Sequence, residues 1–240
     1  MDRPAESFEE SPAGDPVPNS GDEVARNLNG QKLGRKGRDT RQRILNAAAE
    51  IVAEGTADQV SLSAIARRSS LGMTSLYLYF NDLTELLLAL LGPVMDEARQ
   101  EFSDLLGKHW DDDRLAENCR EFLDAYYRFW SGNSRLLHLR NSMADSGDDR
   151  MSMARIRSSQ PLIGFIARQM GGSPDDSRTY AYAMATVLTT GMERTVTVAT
   201  DPRLTGMFGP GHSHAAQHYL EPEARLMELA IRDTRAKTKA

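Results

Sequence analysis

The sequence has few of the features that proteins use outside the cytosol. It contains one cysteine, Cys119, so an internal disulfide is excluded and a reducing, cytoplasmic location is expected. No apolar run approaches about 18 residues, so we expect no membrane span. The acidic, proline-containing N-terminus also lacks the apolar core of a secretory signal. Cys119 is interpreted as a small residue that packs a helix rather than as a reactive thiol.

Motifs of catalysis are missing as well. The sequence contains no nucleophile elbow, P-loop, dinucleotide-binding glycine fingerprint or HExxH motif. We therefore predict no catalytic residues, no cofactor and no enzymatic activity. His214 and His218 have the i, i+4 spacing of helical metal ligands, but Glu221 is the nearest carboxylate. Together with His212 they are interpreted as a surface loop or helix start, and no metal site is predicted.

Charge is unevenly distributed along the chain. The net charge is −5, which argues mildly against nucleic-acid binding. Residues 1–31, however, carry seven acidic and two basic side chains, whereas residues 32–43 carry six basic and one acidic. A basic block of this kind is either an arm that binds nucleic acid or a solvated run of charge. Residues 1–34 are polar and are predicted to be disordered.

Helical patterns begin after the basic block. In "TRQRILNAAAEIVAEG", residues 40–55, apolar residues recur at helical spacing, with Thr40 as the predicted N-cap. Ser61 is predicted to cap a short second helix. The following "SLYLYF", residues 75–80, alternates like a strand. Because the sequence offers no partner strand, a helix is predicted instead.

The remainder of the chain is predicted to be helical. Breaks are predicted near Gly132, Pro161 and Pro222, and one helix is predicted to begin at Pro174 with Ser173 as its N-cap. Two short helices, a tight turn between them and a third helix behind form a helix-turn-helix. The predicted fold class is therefore all-α.

Three segments together resemble the TetR family of transcriptional repressors over about residues 38–92. They are "TRQRILNAAAEIVAEG", "VSLSAIARRSS" and "LGMTSLYLYFNDLTELLLALL". The resemblance implies a three-helix DNA-binding domain over residues 35–82, with the start of helix four reaching about residue 92. It also implies a larger helical domain for ligand binding and dimerisation over residues 93–240. The implied function is a homodimeric repressor that a small molecule releases from a pseudo-palindromic double-stranded DNA operator.

The resemblance also assigns DNA contacts. Thr40 and Ser61 match positions that touch phosphate, the first turn of the recognition helix faces base edges, and two tyrosines reach the DNA backbone or thymine methyl groups. With the basic block, the expected DNA-binding residues are Arg35, Lys36, Arg38, Thr40, Arg43, Ser61, Gly72, Met73, Thr74, Ser75, Tyr77 and Tyr79.

The turn and recognition helix, residues 69–80, are called the recognition segment. The predicted DNA-binding domain departs from the family's pattern at three positions: Gly72 stands where a Ser or Thr usually caps the recognition helix, Leu83 stands where a Lys usually begins helix four, and the third is Ser70. Ser70 stands at the turn glycine, and because a serine in the left-handed region costs about 1–2 kcal/mol, we expect Gly72 to make the turn instead. No Lys or Arg lies between Arg68 and Arg99. The positive charge that phosphates require must then come from Arg67, Arg68 and the basic block, which we predict to be an arm along or in the minor groove.

The C-terminal part suggests a pocket and an interface. Aromatic residues and methionines are concentrated in its middle helices, which indicates an apolar ligand. The candidate ligand contacts are Phe122, Tyr126, Trp130, Leu137, Met143 and Phe165. "TYAYAMATVLTTGMERTVTV" and "ARLMELAI" are predicted to form the dimer interface. The alternative is an α-helical dimeric interaction or scaffold protein without sequence-specific DNA binding, which would not need the basic block.

Overall fold

A computed structural model describes residues 33–55, 59–208 and 211–239 of the chain. The predicted disorder of residues 1–34 lies outside these residues, except for residues 33 and 34. The described part contains nine helices and no strand, so the all-α prediction is confirmed. The helices are α1 (Arg35–Glu54), α2 (Leu62–Arg68), α3 (Met73–Leu76), α4 (Leu83–Leu106), α5 (Leu115–Asp145), α6 (Asp149–Gln169), α7 (Tyr180–Ala199), α8 (Pro202–Phe208) and α9 (Gly211–Lys239).

Helix α1 begins at Arg35, six residues before the start that Thr40 as N-cap would give. Its N-cap is Gly34, which makes no side-chain cap. The Thr40 hydroxyl donates to the Lys36 carbonyl 2.9 Å away inside the helix, so the prediction of Thr40 as N-cap was wrong. The sequence signal failed because the N-terminal turns are polar and carry no apolar periodicity. The predicted apolar stripe is buried and packs against α2 and α4; its residues are Ile44, Leu45, Ala48, Ile51 and Val52.

The turn between α2 and α3 closes on a serine. Ser61 caps α2 as predicted, since its hydroxyl oxygen accepts from the Ala64 N–H at 3.3 Å. At the other end of α2 the Leu71 N–H donates to the Ala66 carbonyl and the Ser70 N–H donates to the Arg67 carbonyl. These are the two bonds of a Schellman motif, which requires a left-handed residue. Ser70 supplies it with φ +54°.

Gly72 does not make this turn. It has φ −75° and ψ 154°, an extended conformation open to any residue, and it is the N-cap of α3. The expectation that Gly72 would replace Ser70 in the turn was therefore wrong. The Schellman bonds fix the left-handed position one residue after the C-cap of α2, and that position is occupied by Ser70.

The larger helices run through their predicted breaks. Helix α5 continues past Gly132, α6 past Pro161 and α9 past Pro222. Helix α7 starts at Tyr180, with Thr179 rather than Ser173 as N-cap. Packing explains the continuity. Helix α5 packs against α6, α7 and α9, and α7 packs against α6 and α9; the burial of these helices outweighs the local cost of a proline or glycine.

None of the helices in the described ranges is long and apolar enough to span a bilayer.

Candidate nucleic-acid interface and ligand cavity

The recognition segment is shorter and tighter than a regular helix. After α3 the chain continues in a turn, in which the Leu78 N–H bonds the Ser75 carbonyl and the Tyr79 N–H bonds the Leu76 carbonyl. Leu76 and Phe80 are fully buried, whereas Tyr77 and Leu78 are 48% and 46% exposed. The prediction that "SLYLYF" is not a strand is confirmed, but the predicted helix is too long, because the α-helix covers only Met73–Leu76 and residues 77–79 form a turn.

The surface of this segment is uncharged and, apart from Leu78, mostly polar. Gly72, Thr74, Ser75 and Tyr77 are exposed, and Tyr79 is half-buried. Met73 is also half-buried against the core. The exposed hydroxyl groups can each donate and accept a hydrogen bond, which suits base edges in a major groove.

Positive charge is concentrated at the N-terminal end of α1. Arg35, Lys36 and Arg38 are exposed in the first turns of the helix, with no acidic residue in the first turn. The predicted arm is thus helical from Arg35 onward, and its position along or in the minor groove stays a prediction. The Arg41 guanidinium carbon lies 5.0 Å from the centre of the Phe80 ring, so this helix end adjoins the recognition segment.

The two arginines at the end of α2 differ. Arg68 contacts Glu50 at 3.1 Å and Glu54 at 2.7 Å, and these carboxylates raise its guanidinium pKa. Its charge is therefore compensated by α1. Arg67 is exposed. Of the remaining predicted contacts, Arg43 is exposed, and Thr40 and Ser61 are half-buried on the surface of the same small domain.

Two contacts tie the start of α4 to the start of α6. The Asp82 carboxylate caps α4 and also accepts from Arg150 at 2.9 Å. The Thr84 hydroxyl donates to the Asp148 carboxylate at 2.5 Å, and Asp148 in turn caps α6. The hydrogen bond from Thr84 lowers the pKa of Asp148 below its ordinary value. Because α4 follows the recognition segment directly, these contacts join the start of α6 to the helix-turn-helix.

A cavity of about 130 Å³ lies among α4, α5, α6 and α7. Three of the predicted ligand residues, Tyr126, Trp130 and Leu137, line it. Phe122, Met143 and Phe165 are not in its lining. Phe122 and Phe165 instead pack against Trp110 in the core, with ring centres 5.9 and 4.8 Å apart.

One wall of the cavity carries charges that the sequence reasoning missed. Arg140 on α5 contacts Glu193 on α7 at 3.0 Å, and their side chains are only 5% and 18% exposed. Burial lowers the pKa of Arg140, and the nearby Glu193 opposes this shift. Arg157 and Ser158 of α6 complete this wall. The available signal was a charged residue inside the apolar helical run "LLHLRNSM".

Among the residues with described side chains, no group of three or more His, Cys, Asp or Glu is arranged to hold a metal ion. His218 is exposed. The side chains of His212 and His214 lie outside the described part, so the interpretation of this histidine segment stays a prediction.

Known proteins share this arrangement. The family model described as "Bacterial regulatory proteins, tetR family" matches residues 44–90. The fatty acid degradation regulator FadR from Bacillus halodurans is 14% identical and superposes with a TM-score of 0.56, covering 82% of this chain and 97% of its own. A TetR-like transcriptional regulator from Rhodococcus sp. RHA1 is 18% identical with a TM-score of 0.52, covering 85% and 99%.

A third structure, GusR from Salmonella enterica, is 14% identical with a TM-score of 0.51 and covers 86% and 100% of the two chains. No curated protein sequence matches the chain significantly. At these identities the structures establish a common fold over both domains, while the family model accounts for the helix-turn-helix. Over residues 44–90 the chain is therefore similar to the bacterial regulatory proteins of the TetR family.

Proposed function

We propose that the protein is a DNA-binding transcriptional repressor that acts as a homodimer and leaves its operator when a small molecule occupies the cavity. The observation that carries the DNA-binding part is the basic end of α1. Three cations at a helix N-terminus oppose the helix dipole, at a cost of about 0.3–1 kcal/mol each. Bound DNA, a polyanion, would remove this cost. Helix α1 also contacts the recognition segment, through Arg41 and Phe80.

The proposed contacts divide into two classes. The exposed cations Arg35, Lys36, Arg38 and Arg43 neutralise phosphates and supply most of the salt-dependent affinity. Base recognition depends on the hydroxyl groups of Thr74 and Ser75 and on apolar contact of Tyr77 with thymine methyl groups. Gly72, Met73 and Tyr79 then position the segment against the groove, and Thr40 and Ser61 contact phosphate.

Salt-dependent binding to the DNA that flanks its own gene tests this division. The full chain is titrated by fluorescence anisotropy over a series of KCl concentrations, beside a variant with Arg35, Lys36 and Arg38 changed to Gln. Each lost phosphate contact should reduce the slope of log K against log salt by about 0.9. A matched variant removes three charges from the larger domain, at Arg114, Arg178 and Arg203.

An unchanged slope in the α1 variant would contradict the phosphate role of this helix end. Salt-insensitive binding, or none to any flanking fragment, would instead favour the scaffold alternative. Loss of the gene should raise transcription from the bound promoter, because a repressor blocks the polymerase. Lowered transcription would identify an activator.

Support for a homodimer comes from two adjacent apolar stripes. Helices α7 and α9 pack together, and each leaves large apolar side chains in solvent. Val187 on α7 is 67% exposed, and Tyr219 and Leu226 on α9 are both 53% exposed. A two-fold axis would place the same stripes of a second copy against them, and it would also align two recognition segments with half-sites about 34 Å apart.

Sedimentation of two variants tests the interface. A variant with Val187→Glu and Leu226→Glu places charges in both stripes and should sediment as a monomer, because an unpaired buried charge is strongly unfavourable. The control Leu78→Glu alters a residue of similar exposure in the DNA-binding domain and should stay dimeric. Dimers of both variants would place the interface elsewhere.

The proposed release mechanism uses α6. This helix lines the cavity with Arg157, Ser158 and Leu162, and its first turn holds the start of α4 through Asp148 and Arg150. A ligand that binds one position of α6 more tightly shifts the dimer toward the matching position of α4. The two recognition segments then no longer fit both half-sites.

A further inference from the structure

We propose that the cavity binds a small monocarboxylate whose body is one aromatic ring or a short branched chain, and that this class of anion is the inducer. The inducer role depends on the proposed function, whereas the binding of the carboxylate does not. The proposal rests on three features of the cavity: its size, its aromatic side and its arginine wall.

The size and apolar lining set the body of the ligand. At about 130 Å³ the cavity is close to the roughly 150 Å³ that accommodates benzene in an apolar protein interior. Phe102, Phe129 and Trp130 line it together with Leu137 and Leu162. Aromatic faces and branched apolar chains favour a flat or compact hydrocarbon body rather than a long chain or a sugar.

Arg140 provides unused donors for the head group. Its guanidinium has five N–H hydrogens, and among the described residues it donates to Asn141, Ser158 and Glu193, each at 3.0 Å. One hydrogen on each terminal nitrogen is left, on a side chain that is only 5% exposed. A purely apolar ligand would cover these donors without an acceptor, which is costly, whereas a carboxylate accepts both.

The charge balance of the cavity wall indicates a ligand with a single negative charge. Arg99 is paired with Asp96, and Arg140 with Glu193. Arg157 lines the same cavity and is exposed at its edge, with no hydrogen-bond or ion-pair partner in the described part of the chain. One carboxylate between Arg140 and Arg157 therefore neutralises the wall, and a dianion would leave an excess charge.

The serines of the wall do not take the place of the arginines. The hydroxyl groups of Ser158 and Ser159 both donate to the carbonyl of Arg155, at 2.7 and 3.0 Å. Their hydrogens are therefore engaged within α6. An anionic head group depends on the guanidinium groups, so its affinity should follow the charge of Arg157.

Calorimetric titration of the full-length protein without DNA tests the site. The probes are benzoate, phenylacetate and 3-methylbutanoate, and benzamide is the neutral counterpart of benzoate. Arg157→Gln removes the free charge, and Arg155→Gln removes an equal charge from the same helix outside the cavity lining. Circular dichroism confirms that both variants are folded. We expect the affinity for benzoate to fall on the order of tenfold or more in Arg157→Gln, to be unchanged in Arg155→Gln, and to exceed that for benzamide.

Equal binding of benzamide and benzoate, or benzoate binding that is unaffected by Arg157→Gln, would overturn the carboxylate site. Failure of all three carboxylates to bind a protein that binds its operator would overturn it too, while DNA binding would stand. Benzoate binding that does not release the operator would overturn the inducer role. Benzoate binding that depends on Arg157, in a protein with no operator binding, would support the site and refute the repressor function.

Discussion

Replacing Ser70 with glycine should stabilise the protein. Among the described residues Ser70 is the one non-glycine residue with positive φ, at +54°. Two other helix ends have the same hydrogen-bond pattern, those of α5 and α6, and there the left-handed residues are Gly147 and Gly171. The serine therefore stands where the same local geometry elsewhere in this chain uses glycine.

The magnitude follows from two opposing terms. The left-handed conformation costs an L-residue about 1–2 kcal/mol, and glycine removes this cost. Glycine also loses more conformational freedom on folding, which returns about 0.5–1 kcal/mol. The midpoints of the two ranges give an expected net gain in the free energy of unfolding of about 0.75 kcal/mol, or roughly 1.5–3 °C in the melting temperature of a chain of this size.

Urea unfolding followed by circular dichroism measures the gain. The matched control is the reverse change, Gly147→Ser, at the end of α5. A Cβ atom at Gly147 would meet nothing within 4 Å, so only the backbone conformation is affected. This variant should lose a similar amount of stability to that which Ser70→Gly gains.

The reasoning fails if Gly147→Ser destabilises the protein while Ser70→Gly leaves the unfolding free energy unchanged or lowers it. That result would mean that the exposed Ser70 side chain stabilises the turn by an interaction that offsets its strain. Equal m-values in all three proteins are required for the comparison, because a changed m-value indicates a changed unfolded state.

Three further changes have defined outcomes. Thr84→Val removes the hydrogen bond from the Thr84 hydroxyl to Asp148 and should lower the free energy of unfolding by about 1.5–3 kcal/mol at neutral pH. This loss should become smaller in acid, where Asp148 is protonated, because the pKa of Asp148 is lowered in the folded protein. Burial raises the pKa of Glu223, whose carboxylate accepts a hydrogen bond from Thr195. The free energy of unfolding therefore falls as pH rises through that pKa, because the buried carboxyl group ionises, whereas glutamine stays neutral. Glu223→Gln should be more stable than the parent at pH 8 and equally stable near pH 4. Burial raises the pKa of the Cys119 thiol to about 12. A thiol reagent at pH 8 should therefore modify Cys119 only as fast as the protein unfolds. Fast labelling of the native protein would contradict the packing role of this residue.

Much of the helix-turn-helix could be predicted from the sequence because its signals are local. The stripe of α1, the Ser61 cap and the paired positions of Leu76 and Phe80 each lie within one or two turns of chain. The sequence-based predictions were wrong where contacts with a neighbouring helix determine the backbone conformation. Whether Ser70 or Gly72 adopts the left-handed conformation depends on hydrogen bonds back to α2, which no propensity reveals.

The candidate ligand site was less predictable. Aromatic residues at helical spacing identified the middle helices, but Tyr126 and Phe122 lie one turn apart on α5, and only Tyr126 reaches the cavity. The difference depends on Trp110 and Phe165, which cover Phe122 from other parts of the chain. The pair of Arg140 and Glu193 joins residues 53 positions apart, so no local pattern connects them.

The sequence by itself determined the helical class, the short capped helices around residues 61–82 and the basic segment before them, because periodicity, capping and charge act over a few residues. The tertiary structure decided where the long helices continue. It carried α6 through Pro161 and α9 through Pro222, since the burial of their faces outweighs one missing hydrogen bond. It also placed two charged side chains in one cavity wall, because a buried arginine is tolerated only where another helix supplies its counter-ion.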